Sequence, residues 1–484
     1  MRTLGFFLFI PLLISLASAE TSTSGSTGAE SKRVQRGYQI CPRCIHAYED
    51  FLASDALNGR GSATHDELVA GTYLASKFEE FGIAPAGDNG GYLQKVPLIR
   101  RKFATPPELR FTDTGTHDDV AWKHGLEMLV LHVGPSELSG PLQKIVLGDN
   151  TPAVQRGAFV LLLGKAGAPV PTRSQAAKFW KEGAAAVLIP ENPGYGAYWQ
   201  QLGKKFLAGK IELPDGSGEA PLDQSTLMML NDDACKKLRS LADGITLSLK
   251  APFDKTENLT TWNVLGTLAG RSPSMAKETV LFSAHYDHLG VGEAVDGDSI
   301  YNGADDDASG VTAVLEIARV LSSGGHARRP VLFALFGSEE LGGLGSDYFR
   351  DHSPVPLDQI AANLEFEMIG RPDPKIPADA MFLSGWERSN FGPVLARHGA
   401  HLVADPHPEQ NFFERSDNFE LAKRGVVAQT ISSYGLHEDY HRPSDDIAHL
   451  DFKHMDDAIQ SLLLPLEWLV NSSFKPEWKA GGRP

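Results

Sequence analysis

Five short stretches in the second half of the chain carry residue types that bind metals and move protons. The first is Ala284-His285-Tyr286-Asp287. A His and an Asp two apart share one face of an extended strand, so Asp287 can orient the imidazole while His285 binds an ion. The second, residues 302–310, reads Asn-Gly-Ala-Asp-Asp-Asp-Ala-Ser-Gly and sets Asp305, Asp306 and Asp307 just ahead of a helix. Capping and dipole compensation would use the same residue types there. The third, Ser338-Glu339-Glu340, ends an apolar strand. A bend at that point lets one carboxylate bind metal while the other handles protons, although a solvated acidic turn would read alike. In the fourth, Glu365 and Glu367 stand two apart in an apolar run. Buried carboxylates need a partner or a metal, so at least one of them faces a polar site. The fifth is Tyr440-His441-Arg442-Pro443-Ser444-Asp445, in a proline-containing loop after a strand.

Each stretch alone has an ordinary structural explanation, but five in succession point to one centre. Mixed His, Asp and Glu ligation suits zinc or a similar divalent ion. Two His and three carboxylates exceed the three protein ligands of a usual catalytic zinc. They suit two ions sharing a bridging carboxylate, a pair that generates a hydroxide near neutral pH and polarises a carbonyl.

The elements that must position these residues follow from the hydrophobic pattern. Strands are expected at 278–284, 330–337, 359–369 and 426–432, alternating with helices at 308–322, 345–352, 389–398 and 454–469. That alternation predicts an α/β fold, a mixed and mostly parallel sheet sandwiched by helices, with functional groups beyond the carboxyl ends of its strands. Upstream, Leu68, Val69, Ala70, Tyr73, Leu74, Phe78 and Phe81 recur at helical spacing up to Gly82, and 92–98 reads as a strand. Residues 106–252 differ. Short β-rich runs at 128–133 and 158–163 sit between Gly/Pro turns, followed by a helix at 174–182 and a strand at 184–189. This predicts a β-rich module inserted between catalytic parts at 45–105 and 253–475, with a tail at 476–484.

The amino terminus reads as a signal peptide over residues 1–19: Arg2, an apolar run, and the small residues Ala17-Ser18-Ala19. Residues 20–44 form a flexible leader, rich in Ser, Thr and Gly over its first part. No later segment is long and apolar enough to span a bilayer, so a secreted or periplasmic protein is expected. Cys41 and Cys44 have metal or redox spacing, but only Cys235 remains to complete a site. A local disulfide and unpaired structural cysteines both fit. The chain of 484 residues has 42% hydrophobic and 22% charged residues, which excludes wholesale disorder. Its net charge of -16, from 45 basic and 61 acidic residues, argues against a nucleic-acid partner.

In their order and spacing, His285-x-Asp287, the 303–310 loop, Ser338-Glu339-Glu340, Met368-Ile369-Gly370 and Tyr440-His441-x-Pro443-x-Asp445 resemble the dinuclear-zinc aminopeptidase family. That family also contains aminopeptidase Y, glutamate carboxypeptidase and the transferrin receptor. Gly59-Arg60-Gly61-Ser62 through Tyr92-Leu93-Gln94 is similar to its amino-terminal segment, and 157–163 with 176–189 resemble a protease-associated domain. The resemblance implies two Zn2+ ions. Asp306 would bridge them, His285 and Glu367 would complete one site, and Glu340 and His441 the other. It also implies Glu339 as general base, Asp287 as partner of His285, and Tyr440 as hydrogen-bond donor to the tetrahedral oxyanion. A cis peptide would follow the bridging residue, at Asp306–Asp307. Relatives usually carry Asp where this chain has Glu367, and Glu365 on the same strand face is the substitute to consider.

The leading expectation is an exported zinc aminopeptidase acting on peptides with a free N-terminus, whose amine Glu339 and Glu367 would hold. A carboxypeptidase or dipeptidase of the same family is the alternative, and would need Arg371, Arg388 or Arg415 to grip a terminal carboxylate. An aminoacyl cyclase or transferase would reuse the scaffold. A non-catalytic, receptor-like binding protein would have lost ligands, and here every ligand position holds a competent residue.

Overall fold

The computed structural model describes residues 38–148, 151–165, 167, 170–171, 173–191, 199–214, 226–324 and 327–484. The expected signal peptide and most of the leader lie outside the described residues. A large sheet runs through the strands 402–404, 381–383, 428–432, 360–366, 279–285, 331–336, 253–268, 93–103 and 210–212 in that spatial order, with Ala84–Pro85 paired to the long strand Phe253–Leu268. Its centre is parallel: Thr279–His285 pairs with Val331–Phe336 on one side and Ile360–Phe366 on the other, and the latter with Ala428–Ser432. Antiparallel pairs flank this centre, so the sheet is mixed.

The central strands are apolar on both faces, as a sheet covered twice requires. Val331, Phe333 and Leu335 face a core shared with the helices His65–Glu80, Gly310–Gly324 and Phe452–Asn471. Leu332, Ala334 and Phe336 face the opposite core, with Phe349 and Leu421 from the helices Leu344–His352 and Asn418–Lys423. Strict alternation therefore serves two cores at once.

A second sheet of eight strands runs 119–123, 108–112, 246–250, 137–146, 159–163, 186–190, 226–230 and 128–133. Separate apolar clusters cover its two faces, one around Phe111, Trp122 and Phe159, the other around Val160, Phe179 and Trp180. The segment that builds it also lends Lys210–Glu212 to the edge of the large sheet, where Ile99 pairs with Glu212. Cys41 and Cys44 form a disulfide at the start of the helix Pro42–Leu52, and Cys235 is free and buried. Among the described residues no helix is long and apolar enough to cross a membrane.

One buried cation fastens the amino-terminal segment to the loops that carry the acidic motifs. Arg60 is fully buried and donates to the carbonyls of Tyr286 (2.8 Å), Leu52 (3.0 Å), Gly303 (2.5 Å), Asp306 (3.4 Å) and Asn302. No bulk water could replace those donors, so the guanidinium satisfies carbonyls that would otherwise be orphaned. Beside it lies Glu49, also fully buried. Burial pushes the Glu49 carboxyl up to about 8, and Thr312 and Arg60 pull it back only in part.

Two expectations follow from this pair. Arg60→Met should lower the unfolding free energy measured in urea by about 3–5 kcal/mol, the range for breaking a buried charged network. Glu49 holds a proton in the folded state that the unfolded chain releases above its ordinary carboxylate range. Its contribution therefore falls as pH rises toward 8, at about 1.4 kcal/mol per pH unit. Urea titrations between pH 5 and 8 should show Glu49→Gln losing less stability with rising pH than the parent; equal slopes would contradict the assignment.

Candidate metal centre

The acidic and histidine residues converge where the four parallel strands end. His285 is the last residue of its strand, and Asp287 and His288 follow it. Glu339 and Glu340 follow Val331–Phe336, Glu367 follows Ile360–Phe366, and His441 lies in the loop after Ala428–Ser432. The expected strand 359–369 stops at Phe366, so Glu367 stands in the exit loop. Ser338, Met368 and His441 adopt left-handed φ of 55°, 53° and 57°, which turns the chain sharply beside each functional carboxylate or imidazole. The Asp306–Asp307 peptide is cis, as the resemblance implied.

Carboxylates that do not face the centre hold its loops. Asp307 accepts from the backbone N–H of His285 (3.3 Å), Gly310 (3.0 Å) and Met368 (3.0 Å), joining two strand ends to the start of the following helix. Gly310 has to be glycine, because a Cβ there would lie 2.4 Å from Asp307 Oδ1 and 2.4 Å from the Phe366 carbonyl. Asp445 accepts from the N–H of Asp305 (3.1 Å) and Asp306 (3.0 Å). Asp305 accepts from the N–H of Gly370 (2.6 Å), and its other oxygen lies 3.1 Å from His437 Nε2.

Asp287 lies beside His285, with Oδ1 3.8 Å from Nδ1. It does more than the sequence suggested: Oδ1 accepts from the N–H of Glu339 (2.9 Å), and Oδ2 from the N–H of Glu340 (3.3 Å) and the hydroxyl of Ser62 (2.5 Å). One buried carboxylate thus fixes both glutamates of the third motif.

Within this frame Asp306 sits between the two histidines. His285 Nε2 is 3.1 Å from its Oδ1, and His441 Nε2 is 3.2 Å from its Oδ2. His441 Nε2 is also 3.2 Å from Glu340 Oε2. Asp306, Glu339, Glu367 and Tyr440 line a single open cavity enclosing about 500 Å³ of space. Glu365 does not line it; it is buried, accepts from the Ser416 hydroxyl (2.9 Å), and is held well above the usual carboxylate range by burial. Of the two glutamates, Glu367 is the one that faces the cavity. The Tyr440 ring stacks on His441 at 3.9 Å, and burial keeps its hydroxyl protonated.

The sequence reading missed His288. Its Nδ1 is 2.9 Å from Glu340 Oε1 and 3.9 Å from Asp306 Oδ2, and the three residues form a group able to hold a metal ion. Three positions from His285, it breaks the two-residue strand period, and only the end of the strand at His285 brings it to the same centre. Of the three arginines considered for a carboxylate, Arg371 is tied to Asp439 (2.6 Å) and Asp445 (3.4 Å). Arg388 lies over the Phe413 ring and donates to the Gly482 carbonyl. Arg415 lines the cavity together with Phe382 and Phe412.

The electrostatics are those of a centre built for cations. Burial works against an imidazolium at His285, but Asp287 and Asp306 outweigh it and hold the group well above the usual range. The same contest at His441, decided by Asp306 and Glu340, leaves it raised to about 10. Burial and Asp306 raise Glu340, yet the contacts with His288 and His441 bring it down to about 2. Burial pushes Glu339 well up, and Glu367 up as well. Among the described residues, buried His285 Nε2, both ring nitrogens of His288 and Glu340 Oε1 make no hydrogen bond of acceptable geometry. Converging nitrogen and oxygen donors that face one another without a hydrogen bond of good geometry fit a divalent ion of the zinc type.

The chain is similar to known proteins in sequence and in fold. The chain is 27% identical over 241 residues to aminopeptidase YwaD of Bacillus subtilis (strain 168), covering 48% of this chain and 49% of that protein. It is 28% identical over 250 residues to the probable lipoprotein aminopeptidase LpqL of Mycobacterium tuberculosis, covering 50% of this chain and 43% of that one. These matches thus span about half the length of the curated relatives or less. In fold, the chain is similar to an aminopeptidase from Aneurinibacillus sp. strain AM-1, with a TM-score of 0.55 at 17% identity over 90% of this chain and 95% of that one. Residues 263–464, from the long strand to the last helix, match the model of peptidase family M28, and His285, Asp306, Glu339, Glu340, Glu367 and His441 all lie within that match.

Proposed function

We propose that this chain is an exported zinc-dependent exopeptidase, an aminopeptidase that removes N-terminal residues from peptides. The observation that carries the reading is the convergence of Glu339, Glu367, Asp306 and Tyr440 on one cavity beside two histidines. His285, Asp306 and Glu367 would hold one ion, and Asp306, Glu340 and His441 the other. Two zinc ions so held would supply Lewis acidity toward the scissile carbonyl and a water of lowered pKa.

The chain's own groups do the rest. Glu339, whose carboxyl burial raises above its ordinary range, takes the proton of the attacking water at its carboxylate and returns it to the leaving nitrogen. Asp287 holds that carboxylate in register by fixing the Glu339 and Glu340 backbone. The protonated hydroxyl of Tyr440 donates to the carbonyl oxygen as negative charge develops on it. The acidic wall formed by Glu339 and Glu367 receives the ammonium of a free N-terminus, and Phe382 and Phe412 offer apolar surface to the adjoining side chain. The second sheet, built from 108–250, is read as a protease-associated insert, and residues 1–19 as a cleaved signal peptide.

One observation favours the alternative. Arg415 lines the same cavity and could grip a terminal carboxylate, as a carboxypeptidase or dipeptidase would require. Aminoacyl-4-nitroanilides, which have no carboxylate, separate the two readings. The aminopeptidase reading expects their hydrolysis, lost with a chelator and restored by zinc; cleavage confined to peptides with a free carboxylate would sink it. Glu339→Ala should keep its bound metal yet lose about 10²–10⁴-fold in kcat. A near-normal kcat in that variant would remove Glu339 from its role.

A further inference from the structure

We propose that His288 is a fourth side-chain donor to the ion held by Asp306, Glu340 and His441. The proposal rests on the two-ion reading above and concerns a residue that the motif resemblance leaves without a role. His288 is fully buried, and among the described residues neither ring nitrogen finds a hydrogen-bonding partner of acceptable geometry. A structural histidine at such depth ordinarily satisfies at least one nitrogen with a carbonyl or hydroxyl. Instead, Nδ1 is aimed at the two carboxylates that His441 also faces. It lies 2.9 Å from Glu340 Oε1 and 3.9 Å from Asp306 Oδ2, while His441 Nε2 lies 3.2 Å from Glu340 Oε2 and 3.2 Å from Asp306 Oδ2. The two imidazoles meet edge to face at 5.8 Å and so approach the carboxylate pair from different sides.

The backbone holds His288 for this position. Its N–H donates to the Arg60 carbonyl and its own carbonyl accepts from the Ser62 N–H, both at 3.2 Å. Its ring packs on Gly303, where a Cβ would come within 2.5 Å of His288 Cγ. Gly303 has φ +58°, and its carbonyl accepts from Arg60. The amino-terminal Arg60 turn thus places an extra donor as well as bracing the loop.

The consequence is an unequal pair of sites. His285, Asp306 and Glu367 make a three-donor set, the number that leaves a catalytic zinc open to water or substrate. Asp306, Glu340, His441 and His288 make a four-donor set, the number found in closed sites. The open chemistry then belongs to the first set, which is also the one containing cavity-lining Glu367.

Cobalt(II) titration of the metal-free, full-length protein tests this, with bound ions counted by equilibrium dialysis and their ligand field read from visible absorption. The parent should bind two ions per chain. His288→Ala should keep one of them at parental affinity and weaken the other by more than about 100-fold, beyond the 10–100-fold expected from losing a partner outside the ligand set. Its absorption for that ion should change. His288→Gln, which exchanges the ring nitrogen for an amide group with less change in volume, should shift the bands of the same ion if His288→Ala does not fold. Two ions bound with parental affinity and unchanged bands in the variants would overturn the assignment. A loss within 10–100-fold with unchanged bands would also overturn it, making His288 a positioning residue. A parent that binds no cobalt would overturn the two-ion reading itself, and the proposal with it.

Discussion

Negative charge buried beyond what the protein's own cations can neutralise is the constraint on which this structure turns. Asp287, Asp305, Asp306, Asp307 and Asp445 are buried around a single cavity edge, with Glu339, Glu340, Glu365 and Glu367 close by. A carboxylate taken from water without compensation raises its pKa or acquires a partner. The chain uses each remedy at a different position. Glu339 and Glu365 are pushed up by burial, Glu340 is brought down to about 2 by two imidazoles, and His285 and His441 retain protons because carboxylates surround them.

The carboxylates outside the ligand sets show how such a cluster can be kept in shape. Asp287, Asp305, Asp307 and Asp445 each accept backbone N–H groups from the turns that carry the ligands. Charge-assisted bonds of this kind are stronger than neutral ones, so repulsion between neighbouring acids is offset by fixing the loops. Arg60 does the complementary job from beneath, collecting carbonyls rather than N–H groups. Donor and acceptor ends of the same loops are therefore satisfied from opposite sides by groups of opposite charge.

Much of this was legible in the sequence, because local patterns set it. The helix expected at 308–322 is Gly310–Gly324, the strand expected at 330–337 is Val331–Phe336, and the five motifs do meet at one edge of the sheet. Part of what escaped depends on contacts between distant segments, and part on where a local element begins or ends. Arg60 reads as one more basic residue until its carbonyl partners, all but Leu52 lying 226 to 246 positions away, surround it. His288 reads as a loop residue because period-2 reasoning stops being valid where the strand stops. Lys210–Glu212 gave no sign of leaving its own module to pair with the edge strand Leu93–Phe103. The Cys41–Cys44 pairing, open on spacing alone, was resolved by the helix that begins between the two residues.

The glutamate at 367 follows from the same geometry. The strand Ile360–Phe366 ends before it, and its N–H is still spent on the neighbouring strand, donating to the Ile431 carbonyl at 3.0 Å. The left-handed turn at Met368, whose N–H donates to Asp307, then takes the backbone away. Residue 367 is thus held at the rim by one strand while the next residue is drawn toward the helix start. A side chain at that point has to reach outward to share a cavity with Asp306 and Glu339, and the extra methylene of glutamate lengthens that reach. Glu365, one strand period earlier on the same face, is left at the level of Ser416, too deep to line the cavity. The length of the side chain and the end of the strand are therefore one feature: the sheet stops at Phe366, and the residue that follows makes up the distance.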